Sequence, residues 1–159
     1  MGLLYEDLHV VPYILQVNTM VATIYAPLYY YYLSPGSIMR SAWNPQKWDE
    51  ITGYENLLRF IKETKQDALY QNAVLHFLYA LVSQIHALTE TKNRSYNGYL
   101  RKMRRKMRWI LLRDGRKLPG SWKEKRWLYD NAYAEIAYVY WTMVGIVNKL
   151  KKNLQIGCK

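Results

Sequence analysis

The sequence predicts an all-α protein: four to five helices in an elongated bundle, with an N-terminal arm or helix and a long C-terminal helix. Three observations carry that expectation. Apolar residues recur at helical spacing in every long segment, no run alternates apolar and polar residues as a strand would, and turn residues punctuate the chain at Ser34-Pro35-Gly36, Asn93 to Gly98 and Pro119-Gly120. At 159 residues, half of them hydrophobic, the chain reads as a single domain with a real core rather than a disordered segment. It divides into an N-terminal arm or helix (1–40), core helices (41–91), a basic block (92–126) and the long C-terminal helix (121–155).

From Val10 to Met39 thirty residues pass without a charge. Gln16, Asn18, Thr19, Thr23 and the prolines at 12 and 27 dilute the run, and no basic cluster flanks its start. It therefore reads as a buried helix or arm from about Pro12, kinked or broken at Pro27 and stopped at Ser34-Pro35-Gly36, in preference to a membrane span. On this reading Tyr29 to Tyr32 point aromatic rings around the whole helix and expect protein on several sides. The start of the chain carries neither a secretory signal pattern nor an Arg-rich transit pattern.

Asn44-Pro45 is a helix cap followed by a first-turn proline, with Asp49 and Glu50 close behind. Trp48, Ile51, Leu58 and Ile61 give that helix an apolar side, and Gly53 is placed to interrupt it. A new helix starts at Asp67 and continues to about Thr91. Leu69, Ala73, His76, Ala80 and Ile85, with Leu78, Leu81, Val82 and Leu88, make it apolar over more than half its circumference, which marks it as the central core helix. His76 and His86 stand about 80° apart on its wheel. They read as polar members of a packed helix and not as metal ligands. Asn93 to Gly98 is turn chemistry and ends this helix.

The stretch Tyr99 to Lys117 concentrates the charge. Arg101, Lys102, Arg104, Arg105, Lys106 and Arg108 fill six of eight consecutive positions, broken only by Met103 and Met107. Together with Leu100 and Ile110 those methionines make one narrow helical stripe, so the helix is expected to dock by that seam and to present a cationic coat in every other direction. From Lys92 to Arg126 the chain holds fourteen basic residues and two acidic ones, whereas the remaining 124 residues carry nine basic and ten acidic side chains. The whole net charge of +11 thus sits in one block, whose self-repulsion calls for a polyanion. Arg113, Arg116, Lys117, Lys123, Lys125 and Arg126 extend it beyond the helix. The set is the pattern of a nucleic-acid backbone reader without base readout.

Asp114-Gly115 and Pro119-Gly120 break the block. Ser121 and Glu124 then form a capping box for the last helix. Tyr129, Tyr133, Ile136, Tyr140, Met143, Val147, Leu150 and Leu154 keep a heptad spacing. A continuous helix from Trp122 to Leu154 is roughly 50 Å long. That exceeds one small bundle, so a face including Trp127, Tyr138 and Trp141 is expected to pack on a neighbour. Sixteen Tyr and six Trp against two Phe fit the same expectation, because amphipathic aromatics suit subunit interfaces.

Catalytic chemistry is not expected. No Gly-rich phosphate loop, G-x-S-x-G, H-E-x-x-H or C-x-x-C occurs, and the carboxylates lack a paired spacing for acid–base work. Cys158 is the one cysteine, so neither an internal disulfide nor a cysteine-based metal site can form. No cofactor is implied.

The layout of Tyr99 to Lys117 beside the Trp122 to Leu154 helix, together with the uncharged Val10 to Met39 arm, resembles the coat proteins of filamentous viruses of hyperthermophilic archaea. What that resemblance implies is helical subunits, often two related ones paired, that wrap and bury double-stranded DNA held in A-form within a virion. The function expected is therefore a structural, DNA-binding subunit of a large assembly, with copies of itself or a related subunit as partners. Two other readings stand beside it. One is an accessory subunit of an organellar complex such as that of the mitochondrial inner membrane, with a transmembrane helix near 10–33 and the basic block on headgroups. The other is a ribosomal or ribonucleoprotein subunit.

Overall fold

The computed structural model describes residues 4–22, 24–30, 41–136 and 143. Its elements are α1 (Glu6–Val17), a 3-10 turn (Pro45–Lys47) that leads into α2 (Trp48–Glu63), α3 (Asp67–Glu90), a second 3-10 turn (Arg94–Tyr96), α4 (Asn97–Asp114), a third 3-10 turn (Gly115–Lys117), and α5, helical over 122–136. The protein is all-α, with five helices and no strand among the described residues.

α3 is the central element. It packs on α2 along one side and α4 along another, while α1 lies on α2. Ten of its residues are buried, among them Val74, Phe77, Leu78, Leu81, Val82 and Ile85. Ile51, Leu58, Phe60 and Ile61 meet them from α2, and Met103, Met107, Ile110 and Leu111 from α4. The two histidines expected within this packing are both exposed. Position 76 falls opposite the Phe77/Leu81 side, and the His86 ring meets Asn131 Oδ1 of α5 at 3.0 Å.

The start of α2 follows from local chemistry. Asn44 Oδ1 accepts from the Gln46 backbone N–H at 3.0 Å, Pro45 opens the turn, and Asp49 and Glu50 face the positive end of the helix dipole. α2 ends on Lys65, whose φ of 56° is left-handed; the N–H of Gln66 reaches the Ile61 carbonyl (2.9 Å) and that of Lys65 the Lys62 carbonyl (3.1 Å). That pair of bonds is a Schellman stop with lysine in the position usually held by glycine.

Gly53 does not interrupt α2. It is buried where α1 crosses, and a Cβ there would sit 3.0 Å from Leu8 Cβ and 3.1 Å from His9 Nε2. The absent side chain is what lets α1 come this close. His9 completes the joint: its Nε2 meets the Asp49 carbonyl at 3.2 Å and its Nδ1 meets Asn56 Nδ2 at 3.3 Å. A carbonyl can only accept, so the ring is the Nε2–H tautomer with Nδ1 accepting.

The N-terminal region departs from expectation. The helix starts at Glu6, six residues before Pro12, because Glu6 and Asp7 supply the acidic first turn and Leu8 and His9 dock on Gly53. Pro12 falls inside it and cannot donate to the Leu8 carbonyl. The helix ends at Val17, so the chain near Pro27 is not a kinked helix: described residues from 18 to 30 are non-helical and exposed, Tyr25 at 97%. Tyr29 and Tyr30 are exposed outside any helix, while Tyr31, Tyr32 and the stop at Ser34-Pro35-Gly36 lie outside the described residues. Among the described residues no helix is long and apolar enough to cross a membrane.

A buried polar node ties three segments together. Gln84 Nε2 of α3 donates to Glu50 Oε2 of α2 and to the Tyr5 hydroxyl. Burial pushes the Glu50 carboxyl above its ordinary value, against the Gln84 hydrogen bond and nearby Lys47, which act to lower it. Tyr5 and Tyr54 are also raised, first by burial and then by the Glu50 charge.

α5 is capped as its sequence predicts. The Ser121 N–H and hydroxyl both donate to Glu124 Oε2 (2.6 and 2.9 Å), and the Glu124 N–H donates back to Ser121 Oγ at 3.3 Å. These bonds, the Ser121 N–H first, hold the Glu124 carboxyl below its ordinary range. The buried stripe of α5 is Leu128 and Ala132, one position away from the expected Tyr129/Tyr133/Ile136 seam. Small Ala132 lets α4 approach: its carbonyl takes Arg108 Nη1 at 3.2 Å, and Tyr129 instead lies at the edge with its hydroxyl on the Leu111 carbonyl (3.3 Å). Tyr138, Trp141, the rest of the heptad seam apart from exposed, helical Met143, and the full helix length lie outside the described residues.

Candidate nucleic-acid interface

α4 begins at Asn97, so Asn97 and Gly98 belong to its first turn and not to the preceding loop. Its seam docks as expected. Met103 and Met107 are fully buried, Ile110 and Leu111 nearly so, and Leu100 packs on the core at partial exposure. The cationic positions do not form one coat. They divide into two groups by whether a neighbouring element supplies a partner.

The inner group is committed to the fold. Arg104 Nη1 pairs with Glu135 Oε1 of α5 at 2.6 Å, its side chain only 13% exposed and its buried Nε without a partner. Lys106 pairs with Glu55 of α2. Arg108 donates to the Ala132 carbonyl, with its guanidinium 5.9 Å from the centre of the Tyr133 ring. Arg113, though exposed, pairs with buried Asp114 at 2.7 Å and donates to the Tyr70 hydroxyl at 2.7 Å. The block's self-repulsion is thus relieved in part from within, by Glu55, Asp114 and Glu135.

The outer group comprises Arg101, Lys102 and Arg105. All three are exposed and make no ion pair or side-chain hydrogen bond with another described residue; Lys102 only lies over the Tyr99 ring at 5.7 Å. They line a shallow cleft with Gly98, Arg108 and Glu135. Continuing the same face at steps of four, four and three from Arg101 come Arg105, Trp109 and Leu112, every one exposed, and Arg116 follows, exposed, in the 3-10 turn after α4. From 101 to 112 this stripe is about 16 Å long. Lys117 and Lys123 are exposed beyond it and form no ion pair with another described residue, Lys125 is partly buried, and Arg126 reaches Asp130 at 3.9 Å and the Trp122 ring at 6.0 Å.

Trp109 (61% exposed) and Leu112 (76%) had no part in the sequence-based site, which treated every direction off the methionine seam as cationic. Their helical step from Arg105 was the available signal. Two clefts meet at Trp109. One, of about 370 Å³, lies between α2, α3 and α4 and is lined by Glu55, Arg59, Lys62, Tyr70, Lys106 and Arg113 among others. The second, of about 320 Å³, is lined by Trp48, Lys102, Arg105, Lys106 and Trp109. The Arg113 guanidinium sits 4.7 Å over the Trp109 ring, and Lys62 4.9 Å over the Tyr70 ring. Trp109 lines both clefts, whereas Arg113 lines only the first.

Such a surface can bind phosphate through its outer cations and offer an apolar ring beside them. Among the described residues no three His, Cys, Asp or Glu side chains converge as a metal site would require. No protein-family profile, curated protein or solved structure matches this chain.

Proposed function

We propose that the protein is a structural, nucleic-acid-binding subunit of a larger assembly, a virion coat protein in its closest analogy, that grips the polymer by its phosphates without reading base sequence. The observation that carries this reading is the outer stripe of α4. Arg101, Lys102 and Arg105 are exposed and form no ion pair with another described residue, and Arg116, Lys117 and Lys123 add charge beyond them. Duplex DNA is the favoured polymer because it presents a phosphate about every 1.7 Å of axis to such a row. The assembly part rests on apolar surface: Val10, Val11, Ile14, Leu15, Met20, Val21, Ile24 and Leu28 stand exposed on α1 and the chain after it, more than a lone soluble subunit ordinarily leaves open.

One observation favours a second reading, an anionic membrane surface: Trp109 and Leu112 project among the cations, as side chains at a headgroup boundary do. Titrating the protein in parallel with two unrelated random-sequence duplexes and with phosphatidylglycerol vesicles separates them. The reading predicts matched affinities for both duplexes and a log-log salt slope near −0.9 per phosphate neutralised. Vesicle binding without duplex binding, or a strong preference for one duplex, overturns it.

A further inference from the structure

The cleft between the start of α2 and the middle of α4 goes further than a phosphate grip requires. Phosphate binding needs Lys102 and Arg105, but it gives no reason for an indole to remain exposed between them and the next cationic turn. Trp109 keeps 61% of its surface open although apolar burial would favour covering it. Trp109 also lines a space of about 320 Å³ with Trp48 and three cationic side chains. That is the small end of ligand pockets and suits one flat ring rather than a polymer segment. Arg113, stacked on the ring and held in turn by Asp114 and the Tyr70 hydroxyl, braces the indole. A fixed, half-exposed aromatic plane with cations along its edge is the arrangement that stacks a base while its flanking phosphates are neutralised.

We propose that this groove is a site for an unpaired base of single-stranded nucleic acid, stacked on Trp109 with its neighbouring phosphates on Lys102 and Arg105. The inference rests on the reading of α4 as a nucleic-acid surface and sharpens it: a duplex engages the cations alone, while a strand with free bases engages the indole as well. The 370 Å³ cleft that Trp109 also lines, with Arg59 and Lys62 exposed on its rim, continues the positive path for the next phosphate along the strand.

Three labelled probes of equal length test this by fluorescence anisotropy at one salt concentration: oligothymidylate, an abasic strand and a random-sequence duplex. The wild-type protein is expected to bind oligothymidylate more tightly than the abasic strand by about 5- to 150-fold, the range for one stacked base. Trp109→Ala should close that gap and leave the abasic and duplex affinities unchanged, and Trp109→Tyr should keep part of it. Equal wild-type affinity for the base-bearing and abasic strands overturns the groove while the phosphate reading stands. That comparison needs no variant, so it decides even if Trp109→Ala does not fold. Failure of all three probes to bind overturns the phosphate reading itself, and binding to phosphatidylglycerol vesicles in their place assigns Trp109 to a membrane.

Discussion

Two groups of three cations share eight consecutive residues of α4 and differ in whether α2 or α5 brings a partner within reach. Arg104, Lys106 and Arg108 turn toward neighbouring helices, where Glu135, Glu55 and the Ala132 carbonyl take them up. Arg101, Lys102 and Arg105 are exposed and form no ion pair with another described residue. The chemistry of the two sets is nearly identical, and their energetic roles are opposed. An inner cation holds α4 against α2 and α5, so its loss is felt in stability. An outer cation leaves the fold nearly indifferent, because surface charges away from specific partners contribute within about 0.5 kcal/mol. The charge of a basic helix is therefore a poor measure of what it offers a polyanion; the number of cations left unpaired is the relevant quantity.

The largest effect is expected from removing the platform both sets share. Met107→Asp places a carboxylate at a fully buried position between α3 and the cations, and should cost at least about 3 kcal/mol, enough to unseat α4. Thermal unfolding monitored by circular dichroism checks this. Retention of a wild-type Tm would mean that the methionine seam does not hold the helix.

Arg104→Gln comes next. It strips the partner from Glu135 while leaving Arg101, Lys102 and Arg105 in place, with an expected loss of about 1–3 kcal/mol in urea denaturation. Affinity for random duplex should stay as in the wild type. Weaker DNA binding at unchanged stability would dissolve the distinction between the two sets.

The smallest effect lies away from α4 and serves as a control for buried charge. Glu50 titrates above its ordinary 4.5 in the folded protein, chiefly because burial disfavours its charge. The folded state thus holds the proton more tightly than the unfolded one, and stability contributed by this group is present below the unfolded value and lost as pH rises through the folded value. Glu50→Gln keeps an acceptor for Gln84 and removes the charge. The variant should match the wild type in acid and be the more stable of the two at neutral pH, as read by denaturation across pH; the reverse order would contradict burial as the dominant cause.

Much of this architecture was legible in the sequence because it is written in local chemistry. The Asn44-Pro45 start, the Ser121/Glu124 box, the span of α3 and the Leu100/Met103/Met107/Ile110 seam each depend on residues within a turn or two of one another. What was not legible depends on partners remote in sequence. Nothing near Arg104 announces Glu135, and nothing near Lys106 announces Glu55, so six cations looked alike until α2 and α5 were in place. The rotated stripe of α5 has the same origin: heptad spacing favoured the large tyrosines, but the tight approach of α4 selected Leu128 and Ala132. Gly53 suggested a break by propensity, whereas contact with α1 made it a docking point. Trp109 was hidden by the charge around it, since an indole four residues from Arg105 stands out only once the outer face is known to be uncovered.

The salt dependence of duplex binding tests the division of α4 most directly. A triple variant, Arg101→Gln with Lys102→Gln and Arg105→Gln, is compared with the wild type and with Arg104→Gln by anisotropy over a range of salt. The triple variant is expected to keep the wild-type Tm and lose up to about 2.7 from the magnitude of the log-log slope, three phosphates at roughly 0.9 each, while Arg104→Gln keeps the wild-type slope. An unchanged slope in the triple variant, or a shallower one in Arg104→Gln, would contradict it.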